Sequence, residues 1–292
     1  MRDKPLDLTK EQRVIKSPRQ IQELAFKLRS QGDSIGLVPT MGALHEGHLS
    51  LVRAAREENK AVIVSVFVNP GQFGPHEDFN SYPRNLEQDT QLALKAGADL
   101  IFAPAAADIY PDGYQNFVAP GPLAQGLCGA KRPGHFRGVC TVVLKLLQLT
   151  AASRAYFGQK DAQQLRVIQQ MAKDFDLEAQ IKGLPIVREA DGLALSSRNI
   201  YLNEEERQQS TILFQSLRLA QDLIAAGQRE TNTISRQIKQ HINQAPLARL
   251  DYLEIVDWAD LQPLKQLTGQ ILIALAVYFG ATRLIDNIIL DA

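Results

Sequence analysis

Two histidines three residues apart, His45 and His48, stand in the run Pro39-Thr40-Met41-Gly42-Ala43-Leu44-His45-Glu46-Gly47-His48. Imidazoles placed this way can bind a metal, cap a turn, or donate to an anion. Zinc chemistry of the His-Glu-x-x-His kind needs its histidines one helical turn apart on one face, and His-Glu-Gly-His has the wrong spacing. Gly47 also weakens the helix, and no second Cys or His cluster supplies the missing ligands. Two readings remain open from the residues. In one, a histidine caps the turn and the other faces solvent. In the other, Gly42 and Gly47 let backbone and ligand approach closely, and the segment forms a phosphate site.

Further segments carry groups suited to the same kind of ligand. Phe67-Val68-Asn69-Pro70-Gly71-Gln72-Phe73 offers Asn69 and Gln72, amides that hold hydroxyl and carbonyl groups in a set orientation. Taken alone it is equally an Asn-Pro turn with an exposed Gln. In Tyr156-Phe157-Gly158-Gln159-Lys160-Asp161-Ala162-Gln163-Gln164, Lys160 is a compact positive charge and Gln164 lies one turn into a helix, able to face the same crevice as Gln72. A generic Lys-Asp pair is a solvated surface pair; its place at a strand end argues for a phosphate contact instead. Leu193-Ala194-Leu195-Ser196-Ser197-Arg198-Asn199 supplies a guanidinium fork and two hydroxyls, after a Gly192 that frees the loop. A surface turn is the alternative there. Arg132-Pro133-Gly134-His135-Phe136-Arg137-Gly138 precedes an apolar helix and is expected as a mobile flap or a helix N-terminus near the site.

The elements that must position these groups follow from periodicity. Ile21, Leu24, Ala25 and Leu28 have helical spacing, with Gly32 as a stop. Ser34 to Val38 reads as a buried strand, and Leu49 to Arg56 lies in a helix running to about Asn59. Ala61 to Val68 is apolar and β-branched, as a central parallel strand is. A helix over Leu86 to Ala96 closed by Gly97, a strand over Asp99 to Phe102, and a helix over Val139 to Thr150 come next. A strand over Arg154 to Phe157 and a helix over Ala162 to Phe175 complete the alternation, which predicts a doubly wound parallel sheet. After about residue 186 the pattern changes. Asn203 with Glu206 starts a helix expected to reach Gly227. A second helix spans Ile234 to Asn243, and strands are expected over Leu250 to Val256, Ile271 to Phe279 and Leu284 to Leu290. The expected division is 1–186, a nucleotide- and substrate-binding domain, and 187–292, a smaller α+β domain closing over the site.

Composition narrows the function classes. Hydrophobic residues are 45% and charged residues 22%, ordinary for a soluble domain. Lys+Arg 32 balances Asp+Glu 32, so there is no basic footprint for nucleic acid and phosphate binding must be local. Ile271 to Phe279 is too short to span a membrane, and Met1 to Lys16 is charged, without the apolar core of a leader. Cys128 and Cys140 lack metal or disulfide spacing and read as buried or idle thiols in a reducing cytoplasm.

Gly-x-Ser-x-Gly is absent, as is a Walker A loop, so esterase and P-loop kinase readings have no support. Many phosphate donors without an evident general base suit a substrate that brings its own nucleophile. A carboxylate does so when placed in line with the α-phosphate of ATP. The five motifs, in this order, resemble the pantothenate synthetase (pantoate–β-alanine ligase) family, over most of the chain. The resemblance implies a Rossmann-like fold of the HIGH-type nucleotidyltransferase superfamily with a smaller α+β C-terminal domain. It implies a cytoplasmic homodimer that takes pantoate, β-alanine and ATP with accompanying Mg²⁺, and forms a pantoyl adenylate.

By the same resemblance, Met41, Gly42, Ala43, Leu44, His45, Glu46, Gly47 and His48 line the ATP site, with His48 as proton donor and His45 beside it. Gly158, Gln159, Lys160, Asp161, Val187, Leu195, Ser196, Ser197 and Arg198 complete it, with Lys160 and Arg198 catalytic alongside the two histidines. Gln72, Gln164 and Asn69 hold pantoate or β-alanine. Gln159 departs from the Glu of many members; backbone contacts there are expected to survive. Gly71 fills a variable place. Competing readings are a nucleotidyltransferase of the cytidylyltransferase type and a catalytically silent adenylate-binding regulator. A tRNA synthetase is disfavoured by the neutral charge balance.

Overall fold

The computed structural model describes residues 11–75 and 77–292. Residues 1–10 of the charged Met1 to Lys16 stretch, and His76, lie outside the described residues. In chain order the first elements are β1 (Val14–Ile15), α1 (Pro18–Ser30), β2 (Ile35–Thr40), α2 (Glu46–Glu58), β3 (Ala61–Val66), α3 (Leu86–Ala96) and β4 (Leu100–Phe102). Then come α4 (Ala106–Ile109), α5 (Leu127–Lys131), α6 (His135–Thr150), β5 (Arg154–Gly158), α7 (Ala162–Asp174) and β6 (Gln180–Leu184). Helices α8 (Glu204–Gln209), α9 (Ile212–Ala225) and α10 (Thr231–Ile242) are followed by strands β7 (Ala248–Asp257), β8 (Gln270–Phe279) and β9 (Thr282–Asp291).

The chain divides into two units. Among the described residues, the first comprises those within 1–121, 131–159 and 164–185; the second comprises 122–130, 160–163 and 186–292. In the first, six parallel strands lie in the order β1-β4-β3-β2-β5-β6. Residues Ala61 to Val64 of β3 have no exposed surface, because the strand is covered on both faces; Ser65, buried as fully, is its polar exception. Val38, Val64 and Ile101 pack under Leu51, Val52, Ala55 and Ala93 of α2 and α3. On the other side α6 packs on β2 and against α1. Chain order reverses at β2, with β3 on one side and β5 on the other. The carboxyl ends of β3, β2 and β5 therefore meet at the switch point where open α/β sheets bind ligands.

The second unit contains a three-stranded antiparallel sheet, β7-β8-β9. Ile271, Ile273, Leu275, Val277 and Phe279 of β8 pack with Leu213, Leu217, Ile234 and Ile238 of α9 and α10. Leu272 and Ala274, on the opposite face, pack with Leu127, Val256 and Leu261. The period of two sorts the strand between two apolar clusters, which is why its sequence shows no polar alternation.

Several boundaries depart from the sequence reading. The helix expected from Asn203 to Gly227 is broken at Ser210–Thr211 into α8 and α9, where the Ser210 hydroxyl donates to Arg207 O. Such back-bonding competes with the helical ladder. Strand β6 has no counterpart in the sequence reading: Gln-Ile-Lys-Gly-Leu is an edge strand, largely outside the core, and carries little apolar signal. Helix α6 begins four residues before the expected start, at His135.

Candidate active site

The turn between β2 and α2 is built from inside. Thr40 Oγ1 donates to Ser65 O at 2.7 Å and accepts from Gly42 N at 3.2 Å. Gly42 and Ala43 then take left-handed conformations in succession, φ 86° and 51°. For Ala43 that conformation costs about 1 kcal/mol or more and persists only where neighbours hold it. The holder is Asp89 of α3, 2% exposed, whose two oxygens accept from Ala43 N at 3.0 Å and Leu44 N at 2.8 Å. The backbone N–H groups of Gly42, Ala43 and Leu44 are thus spent within the protein. That corrects the expectation that this turn presents its backbone to an anion.

The turn also carries the two imidazoles. His45 is the N-cap of α2, and its Nδ1 accepts from Gly47 N at 3.1 Å. His48, three residues on, accepts from His45 N through Nδ1 at 3.4 Å, so the pair forms a capping box made of two histidines. A nitrogen that accepts a backbone N–H carries no proton. Each neutral ring therefore carries its hydrogen on Nε2 and is a fixed donor there. Both residues are half-buried, with ring centroids 4.1 Å apart. Both histidines cap, where the sequence reading had one capping and the other facing solvent. Glu46 is exposed and pairs with Arg53.

At the end of β3, Asn69 caps a turn of 3₁₀ helix over Pro70–Gln72. Its amide is fully engaged. Oδ1 accepts from Gly71 N at 3.1 Å and Tyr110 OH at 2.8 Å, and Nδ2 donates to Gly138 O and Gln72 Oε1, both at 3.1 Å. At 1% exposure, Asn69 orients Gln72, and the direct substrate contact expected of it has no donor or acceptor left to make it. Gln72 is half-buried, and its Nε2 lies 3.0 Å from Met41 Sδ, so the β3 and β2 turns touch.

The Arg132 to Gly138 segment, expected as a flap or helix start, is the buttress of that turn. His135 Nδ1 lies 2.8 Å and Arg132 Nη2 3.2 Å from Gln72 O. Arg132 Nη1 lies 3.1 Å from His135 Nε2. Arginine only donates, so Nε2 accepts and Nδ1 carries the hydrogen given to Gln72 O, the opposite tautomer from His45 and His48. Glu77 binds Arg132 through both carboxylate oxygens. Burial pushes the Glu77 pKa up, but the Arg132 hydrogen bond and charge outweigh it and hold the carboxyl below its usual value. Helix α6 touches the turn at Gly138, where a Cβ would lie 1.9 Å from Gly71 O.

The third strand end, β5, delivers Gly158 and Gln159 in the first unit, and Gln164 follows in α7. Gln164 is half-buried, and its amide makes no hydrogen bond among the described residues. Its neighbour Gln163 is 6% exposed and structural, donating to Leu123 O and Gly126 O and accepting from Gly129 N. Strands β3, β2 and β5 thus bring together Gln72, the two-histidine turn and the Gly158–Gln159 step.

In the second unit, Asn287 Nδ2 donates to Lys160 O at 2.8 Å. Burial lowers the Lys160 pKa and so does the nearby Arg198, with Asp161 and Asp286 opposing in part. No carboxylate lies within ion-pair distance of its ammonium among the described residues. A desolvated cation beside a second cation suits a polyanion. Asp286, 2% exposed, is held by both Nη atoms of Arg188 at 2.7 and 2.9 Å. Val187 and Leu195 are joined across a short hairpin by Leu195 N to Val187 O at 3.0 Å. Ser196 caps the 3₁₀ helix Ser197–Tyr201, its Oγ accepting from Arg198 N at 3.2 Å. Asp89, Glu77, Tyr110, Arg188, Asp286 and Asn287 escaped the sequence reading. Each acts through a partner far away in the chain, which leaves no local pattern.

Among the described residues no three His, Cys, Asp or Glu side chains gather as a metal cage. No helix among them is long and apolar enough to cross a membrane.

A parallel doubly wound sheet with a histidine-capped turn at its switch point defines a Rossmann-like, nucleotide-binding enzyme. The family model for pantoate-beta-alanine ligase matches residues 13–289. A pantothenate synthetase of Thermosipho melanesiensis is 51% identical over 276 residues, covering 94% of this chain and 98% of its own. The crystal structure of pantothenate synthetase from Thermus thermophilus superposes with TM-score 0.89 at 42% identity, over 94% of this chain and 98% of that one. A pantoate-beta-alanine ligase from Francisella tularensis, complexed with beta-gamma ATP and beta-alanine, gives TM-score 0.77 at 38% identity, over 94% and 96%. This chain belongs to the pantoate–β-alanine ligase family.

Proposed function

We propose that the enzyme joins pantoate to β-alanine at the expense of ATP, in two steps. A pantoate carboxylate oxygen attacks the α-phosphorus of ATP. The bond to the β-phosphate bridging oxygen breaks, leaving pantoyl adenylate and pyrophosphate. The β-alanine amine then attacks the acyl carbon, loses a proton, and expels AMP to give pantothenate. The observation that carries this reading is the meeting of the β2, β3 and β5 ends, where Gln72 Nε2 lies 3.0 Å from Met41 Sδ of the turn whose two histidines cap α2.

His45 and His48 donate from Nε2 to phosphoryl oxygens whose charge grows in the first step. Lys160 and Arg198 neutralise pyrophosphate. Gln72, oriented by Asn69, and Gln164 hold pantoate. Met41 to His48, Gly158 to Asp161, Val187, Leu195, Ser196 and Ser197 line the nucleotide. Mg²⁺ enters as part of the ATP substrate, held by phosphates and water. The enzyme works as a cytoplasmic homodimer. Family membership supports that reading, and sedimentation equilibrium of the purified chain tests the oligomer.

Product analysis separates this chemistry from a cytidylyltransferase-type reaction. With pantoate, β-alanine and ATP, equimolar pantothenate and AMP are expected. A product that retains the nucleotide would overturn the assignment.

A further inference from the structure

We propose that Asp89 is a positioning residue for adenylate formation: its carboxylate holds the strained Gly42–Leu44 turn and thereby the donor tautomer and placement of His45 and His48. The inference rests on the adenylation reading and extends it to a residue outside every motif of the sequence.

Asp89 lies 45 residues from Leu44 in the chain, on α3, and is 2% exposed. Its two oxygens are divided between adjacent backbone donors, Ala43 N and Leu44 N. Ala43 is the non-glycine residue of the turn at positive φ. The contact is close on its other side too: a Cβ on Gly42 would stand 2.9 Å from Asp89 Oδ2, so the carboxylate and the bare Gly42 backbone fit one another. The next residue, His45, is the N-cap whose ring and backbone form the two-histidine box. A shift of the Ala43–Leu44 peptides moves that cap directly.

Packing holds the turn at its end, where Leu44 is buried with Val38, Leu51 and Val64; the Gly42–Ala43 step rests on the carboxylate. Beside it opens a pocket of about 320 Å³, lined by Met41, Gly42, Phe67, Asp89 and Ala103 among others. Without the carboxylate the turn has room to relax, since a left-handed Ala has no intrinsic reason to stay there. Asparagine cannot substitute. It offers one acceptor oxygen where two N–H groups need one each, and points its own N–H₂ at the second. Placement matters at this scale because a shift of about 1 Å in a positioned group can cost on the order of 10² in rate.

The test uses Asp89→Asn and Asp89→Glu in the full chain. Four measurements are made on each: melting temperature, amide hydrogen exchange at Ala43 and Leu44, imidazole ¹⁵N shifts of His45 and His48, and the two half-reactions separately. In Asp89→Asn, protection at Ala43 or Leu44 falls and the Nδ1-acceptor signature of His45 is lost. Pantoate-dependent ATP–pyrophosphate exchange drops on the order of 10². Conversion of supplied pantoyl adenylate with β-alanine changes little. Asp89→Glu, with both acceptor oxygens, recovers part of the exchange. Wild-type exchange and protection in Asp89→Asn would overturn the proposal, as would an equal fall in both half-reactions matched by loss of folded protein. Absence of exchange in the wild type would instead sink the adenylation reading. The protection and tautomer readouts would still judge Asp89.

Discussion

His45, His48 and His135 show one side-chain type doing opposite jobs. The first two accept a backbone N–H at Nδ1, which leaves the ring hydrogen on Nε2; the third accepts from Arg132 at Nε2 and donates from Nδ1. The hydrogen bond made by one ring nitrogen settles what the other can do. His48→Ala removes a cap and a donor, and adenylate formation is expected to fall on the order of 10²–10³. His48→Asn keeps an acceptor for His45 N but loses the donor at Nε2. Its melting temperature should therefore stay nearer the wild type while its exchange rate falls as in His48→Ala. Near-normal exchange in both variants would refute the donor role.

Lys160 is the other residue whose state is set by its surroundings. Burial and Arg198 hold its pKa below 10.5, so its positive charge is complete at low pH and is lost as pH rises through that lowered value. The kcat/KM for ATP reports the free enzyme. It should therefore fall on an alkaline limb that begins below pH 10.5. In Lys160→Arg, which stays charged, that limb should vanish even though the rate is lower. A limb unchanged by Lys160→Arg would assign it to another group.

At the scale of elements, a glycine decides how a helix meets a turn. Gly138 lets α6 lie against the Pro70–Gln72 turn, and the atom a Cβ would strike is backbone, the Gly71 carbonyl, which cannot rotate away. Gly138→Ala must displace either the helix or Gln72. Such overpacking costs about 1–3 kcal/mol in stability. Steady-state kinetics should show a rise in KM for pantoate beyond what the lost folded fraction explains. Gly71 is the counter-case, since a Cβ there meets nothing closer than 3.4 Å, and Gly71→Ala is expected to leave kinetics near the wild type.

The same elements show what sequence could and could not reveal. Strands such as Ala61–Val66 and helices such as Leu86–Ala96, closed by Gly97 at φ 112°, were legible because period, β-branching and a capping glycine agree. The five motifs were legible as chemistry because each ends a strand or starts a helix. The division of labour inside them was not. Asn69 reads as a ligand but is saturated by Gly71, Tyr110, Gly138 and Gln72. Backbone donors of the Gly42–Leu44 turn read as ligand-facing, yet they are met by Asp89 and Thr40. In each case the decisive partner is brought in by tertiary packing.

For the whole molecule, neutrality and thiol chemistry bear on how the protein behaves in solution. Cys140 is 1% exposed and burial pushes its pKa up to about 12, while Cys128 is partly accessible; neither forms a disulfide among the described residues. Thiolate is the reactive form, so Cys140 is chemically quiet at neutral pH. A thiol reagent should label Cys128 well before Cys140 in the native protein, and the melting temperature should be the same with and without reductant. Equal labelling rates would contradict the burial of Cys140.

On the proposed mechanism a carboxylate substrate is activated at the strand ends of β2, β3 and β5 before any amine is used. Pantoate-dependent exchange of radiolabelled pyrophosphate into ATP, with β-alanine absent, measures that step alone. Exchange that requires pantoate, followed by release of pantothenate once β-alanine is added, is the predicted result. Exchange without pantoate, or none until β-alanine is present, would contradict it.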